Sequence, residues 1–168
     1  KKESAAAEQS TRKRHIKAGF KIQTNQPIAE LGTNYARAFA VNSGTRTNTE
    51  LYGLLFNRNF PVNIEALEFM RSIDGTNVTK VIDLGRYKHG DGEYFAAILE
   101  HPKGISLRKL LQSGVKFGEK KLRKEIIFPI NSVLSELHEH GICFGNLNLD
   151  NIYFDQASNT VKLREGVS

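Results

Sequence analysis

The sequence predicts an α+β protein: a small five-stranded antiparallel sheet carrying one helix, followed by the beginning of a helical unit. Three observations predict it. Between about residues 20 and 99, short alternating or apolar runs recur between clusters of Gly, Asn and Pro, the pattern of strands joined by turns. One helical spacing, Ile64, Leu67, Met70 and Ile73, is inserted among them. The period then changes, and Lys120 to Glu139 carries the strongest helical pattern of the chain.

In order, Gly19 to Phe39 alternates and breaks at Leu31-Gly32-Thr33-Asn34, which reads as a strand, a turn and a returning strand from Tyr35 to Val41. Asn42 to Asn48 is a polar turn cluster. Leu51 to Phe56 reads as a buried strand, ended by Asn57 to Pro61 because proline has no N–H for the ladder. The helix at 64–73 has Asn63 as its N-cap and Asp74-Gly75 as its stop. Asn77 to Leu84 and Glu93 to Leu99 are two more strands, joined through the turn residues Lys88 to Gly92. Ser106 to Ser113 reads as a short helix with Leu107, Leu110 and Leu111 on one face. In the long helical pattern, Leu122, Ile126, Ile130, Val133, Leu134 and Leu137 stay near one stripe, Pro129 bends or splits the helix, and Gly141 caps it. Ile152 to Phe154 and Thr160 to Leu163 form two short strands around a turn at 155–159.

Composition narrows the class. With 168 residues the chain lies in the range of one ordinary domain and can bury a core. No apolar run approaches the roughly 18–20 residues of a membrane span, and no signal-peptide pattern opens the chain. The sequence begins with Lys1 rather than Met, which reads as an excerpt of something longer. Its single cysteine, Cys143, rules out an internal disulfide and agrees with a reducing cytosol, so a cytoplasmic location is expected. Between Ile142 and Phe144 it reads as a small buried hydrophobe. Charge is unevenly placed. Residues 1–21 hold seven basic groups (Lys1, Lys2, Arg12, Lys13, Arg14, Lys17, Lys21) against Glu3 and Glu8, five of the net +6. Such a segment reads as a flexible arm or linker, able to touch nucleic acid, anionic lipid or an acidic partner.

The most informative stretch runs from Gly141 through Phe144, Gly145, Asn146, Leu147, Asn148, Leu149, Asp150 and Asn151 to Ile152. Upstream lie His138-Glu139-His140-Gly141-Ile142 and, further back, Ile98-Leu99-Glu100-His101-Pro102-Lys103-Gly104. In this order and spacing, these pieces resemble the protein-kinase superfamily over residues 25–168, most specifically over 94–163. A kinase catalytic loop reads H-R-D-L-x-x-x-N, where the Asp accepts the substrate hydroxyl proton and the Asn holds a metal ion. The resemblance implies a kinase-like small lobe and hinge at 22–102 and the truncated start of the large, helical lobe at 103–168. It implies ATP as the ligand of such a fold, with Leu99 as gatekeeper and with Glu100 and His101 offering hinge backbone groups to an adenine.

The chemical positions depart from that pattern. Phe144 and Gly145 replace the His-Arg pair, Asn146 replaces the base, and Asn148 replaces the lysine that stabilises the transferring phosphoryl group. An amide cannot act as a general base near neutral pH. The Gly-rich loop keeps Gly32, has Asn34 in place of a second glycine, and has Arg37 near the third. The strand lysine has no counterpart, since no Lys occurs between 22 and 79 and Leu55 falls at or beside its place. Its helix partner corresponds to Glu65, read as a solvated acid. Asn151 survives as a metal ligand, but one amide oxygen makes a poor Mg²⁺ site. Arg164-Glu165-Gly166 stands where the Asp-Phe-Gly element belongs. Glu165 in that place would supply a metal ligand, whereas Arg164 would put a cation there that could meet nucleotide phosphate.

The resulting expectation is a pseudokinase-like domain without phosphotransfer activity, serving as a protein-interaction or allosteric module. An atypical nucleotide-using transferase is the alternative, with Asp150 as base, Glu165 for metal and Arg37 or Arg164 for phosphate. A second alternative is binding of nucleic acid or an anionic membrane through residues 1–21.

Overall fold

The computed structural model of the chain describes residues 2–44, 50–59, 61–73 and 77–164, with side chains from residue 8 onward. Residues 45–48 of the first turn cluster, Phe60, the Asp74-Gly75 stop, Glu165 and Gly166 lie outside the described residues. The chain divides into two units, Lys1–Ile73 with Lys80–His101, and Asp74–Thr79 with Pro102–Ser168.

In the first unit, β1 (Phe20–Pro27), β2 (Ala36–Ser43), β3 (Leu51–Phe56), β4 (Val81–His89) and β5 (Gly92–Glu100) form one antiparallel sheet in the order β1-β2-β3-β5-β4. A 3₁₀ turn at Ala29–Leu31 separates β1 from β2. The register sets the faces, because directly opposed residues share one side of a sheet. Phe39 stands opposite Gly53, and Gly53 opposite Ile98, while Leu55 faces Arg37 and Ala96. Ile22, Phe39, Leu55, Ala96 and Ile98 accordingly pack into one core with Ile16. Tyr52, Leu54 and Phe56 turn to the other side and are equally buried. The helix α2 (Ile64–Ser72) starts where Asn63 caps it, its side chain accepting the Ala66 N–H at 3.0 Å. Its buried residues Ile64, Ala66, Leu67 and Met70 recur at helical spacing. The strand expected from Asn77 begins only at Val81; Asn77 to Thr79 belong to the second unit and bond there to Val161 and Leu163.

The N-terminal segment corrects the reading of residues 1–21 as an arm. Lys2–Lys13 is a helix, α1, and β1 already begins at Phe20. Residues 14–16 lie along the free edge of β4: Arg86 N–H donates to Arg14 O at 2.7 Å and Ile16 N–H to Arg86 O at 3.0 Å. An open sheet edge is a row of unpaired donors and acceptors, and this pairing covers part of it. The Arg14 guanidinium donates to Leu84 O at 2.8 Å and lies 3.6 Å from Asp83 and 3.7 Å from Glu68 of α2. Asp83 is buried and accepts the Lys17 N–H at 2.8 Å, while Thr11 donates to Glu68 at 2.5 Å. Arg12 and Arg14 thus pair with acids of their own unit.

The second unit holds β6 (Ile105–Ser106), α3 (Leu107–Gln112), α4 (Glu119–Lys121), a π-helical segment (Leu122–Ile127), α5 (Phe128–Glu139), β7 (Ile152–Asp155) and β8 (Thr160–Leu163). β6, β7 and β8 pair antiparallel in that order. Ser106 is the N-cap of α3, accepting the Lys109 N–H. The long helical pattern is a single run whose backbone widens just before Pro129, with Phe128 N–H reaching Arg123 O, five residues back. Proline clashes with the carbonyl four residues earlier, and a π turn relieves that crowding without breaking the helix. Ile126, Ile130, Val133 and Leu137 form the buried stripe.

Candidate functional site

Residues carrying the resemblance fall in both units. In the first, the turn between β1 and β2 is organised by Thr33, whose Oγ1 accepts the Tyr35 and Ala36 N–H groups at 3.4 and 3.1 Å. Gly32 has an ordinary φ of −70°, and Asn159 is the one non-glycine residue with positive φ among those described, so Asn34 is not left-handed. A Cβ on Gly32 would meet nothing closer than 3.4 Å. Neither backbone strain nor crowding by the protein's own atoms therefore requires glycine at this position. Tyr35 is buried and stacks on Phe56 at 6.4 Å, and Phe56 meets Phe95 at 6.0 Å. Leu55 lies in the core with Ile16 and Phe39, so both faces of β3 present apolar side chains where a phosphate-holding lysine would be needed. Glu65 is exposed in the first turn of α2; the α2 acid engaged by Thr11, Arg14 and Arg71 is Glu68.

The hinge positions are also occupied. Leu99 is fully buried in β5. Glu100 N–H donates to Lys80 O at 3.0 Å and His101 N–H to Glu50 O at 2.8 Å, while Pro102 has no N–H. Residues 100–102 thus leave no backbone donor for an adenine edge.

In the second unit the loop closes on itself through its asparagines. Asn148 Oδ1 accepts the N–H groups of Asp150 and Asn151 at 2.8 and 3.2 Å, the local side-chain turn that asparagine favours. Its Nδ2 donates to Asn146 Oδ1 at 2.6 Å, and Asn151 Nδ2 donates to Asn146 O at 2.9 Å. Phe144 is half-buried and Gly145 exposed. Cys143 is exposed, contrary to its apolar neighbours' suggestion, and Leu147 is exposed while Ile152 is buried. Asp150 is an exposed carboxylate held by Arg108 Nε at 2.8 and 2.9 Å. Arg37 is exposed, its guanidinium 5.9 Å from the Phe39 ring centroid.

The least expected member is Arg164. It is 3% exposed, and its Nη2 donates to Asn151 Oδ1 at 2.6 Å; Asn151 is 2% exposed. Arg164 N–H also donates to Asn151 O at 2.8 Å, tying the end of β8 to the loop. A guanidinium is permanently charged and only donates, so it claims the acceptor that a cation would otherwise use. Sequence spacing set Arg164 opposite a metal position but carried no sign that it would turn inward onto Asn151. Glu165 lies outside the described residues, and no cluster of three His, Cys, Asp or Glu able to hold a metal occurs among the described residues.

No family model and no curated protein matches the chain. Solved structures do. One similar structure is the crystal structure of Rad53 1–466 in complex with AMP-PNP, with TM-score 0.66 and 16% sequence identity. The match covers 90% of this chain and 37% of that one, so the chain spans well under two thirds of its neighbour. The chain has a protein-kinase-like fold, with the five-stranded antiparallel sheet and helix of the small lobe. Such a fold implies a divalent cation beside its nucleotide. The described residues do not fit one: Asn151 Oδ1 is spent on Arg164, and the nearby carboxylate of Asp150 is spent on Arg108.

Proposed function

We propose that the chain is a pseudokinase-like domain without phosphotransfer activity, acting as a protein-interaction or allosteric module. The observation that carries this reading is the buried Arg164 guanidinium on Asn151 Oδ1, a built-in cation at the one surviving metal-ligand position. Phosphoryl transfer depends on positioned metal, base and cationic groups, each worth orders of magnitude in rate. Here Asn146 holds no carboxylate and accepts from Asn148, and apolar side chains replace the strand lysine. The AMP-PNP bound by the structural neighbour supports nucleotide binding by this fold in general. In this chain a nucleotide would be held without the usual metal and without hinge donors at 100–102. Nucleic-acid or membrane binding by residues 1–21 gains no support from Arg12 and Arg14, which are engaged with Glu8, Glu68 and Asp83.

The test is incubation of the chain with ATP labelled at its γ-phosphate and Mg²⁺ or Mn²⁺, with a general acceptor protein present. No label above a heat-denatured control is expected on either protein. Label that disappears in Asp150→Asn would overturn the reading in favour of an atypical transferase using that carboxylate as base.

A further inference from the structure

We infer that the helical face running from α4 into α5 is a docking groove for an acidic peptide segment carrying an apolar side chain. This deepens the interaction-module reading, on which it rests, by giving the module a surface and a partner chemistry. The groove has a volume of about 610 Å³ and is lined by Glu119, Lys120, Arg123, Lys124 and Phe128. Its floor is apolar. Phe128 is 57% exposed and the adjoining Ile127 39%, although large apolar side chains ordinarily leave the surface when a core can take them. Its rim is cationic: three of the five lining residues are basic and one is acidic. Lys120 and Lys124 have no ion-pair partner among the described residues, whereas Lys121, which does not line the groove, is engaged by Asn159 and Glu125.

The backbone explains why apolar floor and basic rim coincide. The π-helical segment lies between Lys121 and Phe128, and such insertions recur at functional sites. Arg123 holds the groove's shape from two sides, 3.5 Å from Glu119 and 5.9 Å above the Phe128 ring. A guanidinium over an aromatic face is an attraction that strengthens when a ligand excludes water.

Charge complementarity selects the occupant. Three cations around an exposed ring attract carboxylates to the rim and leave the ring for an apolar anchor, the arrangement of a hot spot within a polar border. Size separates a peptide from a nucleic acid. The nine-residue rise from Glu119 to Phe128 is roughly 13 Å, the span of about four extended residues. That is short for a strand of bases, each needing its own stacking face, where the groove offers a single aromatic ring.

The test uses the whole chain and a short fluorescent peptide with one Phe flanked on both sides by Asp and Glu, read by anisotropy. Saturable binding is expected. It should weaken at least about tenfold when Lys120→Glu and Lys124→Glu are combined, and by a similar factor in Phe128→Ser, because each removes about 1.4 kcal/mol or more of contact. These residues are at the surface, so the melting temperature should be unchanged. Three results would overturn the proposal. Charge reversal weakening binding while Phe128→Ser does not would mean unspecific attraction. Tighter binding of a single-stranded oligonucleotide or of phosphatidylserine vesicles at the same residues would mean a different partner class. Self-association abolished by Phe128→Ser would mean that a second copy covers the face. Phosphotransfer measured on the same variants reads the other claim separately, since none of these residues belongs to the loop at 144–151.

Discussion

Gly85→Ala tests whether the N-terminal segment belongs to the first unit. A Cβ at Gly85 would lie 2.4 Å from Arg14 O and 2.9 Å from the His15 carbonyl carbon, where ordinary contact begins at 3.4 Å. Both are backbone atoms, so no rotamer change relieves the clash. The segment must lift, and with it go four hydrogen bonds: Arg86 N–H to Arg14 O, Ile16 N–H to Arg86 O, the Arg14 guanidinium to Leu84 O, and Lys17 N–H to Asp83. At about 1 kcal/mol each, more for those involving charge, and with Ile16 exposed from its core, the loss is on the order of 3–5 kcal/mol. Partial re-seating of the segment makes this an upper range. Hydrogen exchange is the assay. In Gly85→Ala the amides of Ile16, Lys17 and Arg86 should exchange markedly faster, while those within β3 and β5 keep their protection. Unchanged protection at Ile16 and Lys17, with melting unaltered, would refute the reasoning and return residues 1–17 to the status of a loose arm.

Two further perturbations probe the second unit. Gly104 has φ +83°, and a Cβ there would lie 2.2 Å from Phe154 O and 2.7 Å from Asp155 Cα, so Gly104→Ala should cost more than about 2 kcal/mol and loosen the pairing of β6 with β7; a thermal melt within error of the parent would contradict this. In the β7–β8 turn, Ser158 Oγ donates to Asp155 Oδ2 at 2.7 Å and Ala157 N–H to Oδ1 at 3.1 Å, and these bonds, the serine's first, hold the Asp155 carboxyl below its usual range. Because the folded value is the lower one, the turn's contribution is complete above the unfolded value of 3.8 and disappears as pH falls through the folded value. An NMR titration should therefore show the Ala157 amide shifting only at pH below the ordinary carboxylate range, and a midpoint above that range would contradict it.

Much of the fold was legible because its cues are local. Alternating and apolar runs marked the five strands, the fourth with a displaced start, Asn63 and Ser106 mark helix starts by their own side chains, and Pro129 announced a perturbed helix. What proved illegible depends on distant partners. Residues 1–17 look like linker because their composition is polar and basic, yet Asp83, Gly85 and Glu68, far along the chain, supply their anchors. The place of Leu55 could be read only to within a residue, and one residue decides the face of a strand. Cys143 sits between apolar neighbours and Leu147 between two asparagines, and both are exposed. For the site, Asn146 and Asn148 were visible as departures from catalytic chemistry and Asn151 as a retained position. Their bonding to one another, and the inward turn of Arg164, required coordinates.

The proposed loss of phosphotransfer rests most directly on the buried Arg164 guanidinium that takes the Asn151 side-chain oxygen. Thermal melts of the whole chain should be followed with Mg²⁺, Mn²⁺ and ATP, separately and combined, for the parent and for Arg164→Met. Ligand binding to the folded state raises the melting temperature by mass action, by about 2.7 kcal/mol of stabilisation at a hundredfold excess over Kd. In the parent, metal should add nothing to whatever shift ATP produces alone. Arg164→Met should melt lower without ligand, since it strands the buried Asn151 Oδ1 at a cost of about 1–3 kcal/mol. A shift in the parent that appears only with Mg²⁺ or Mn²⁺ together with ATP would contradict the account, because it would require a metal site that the described residues do not supply.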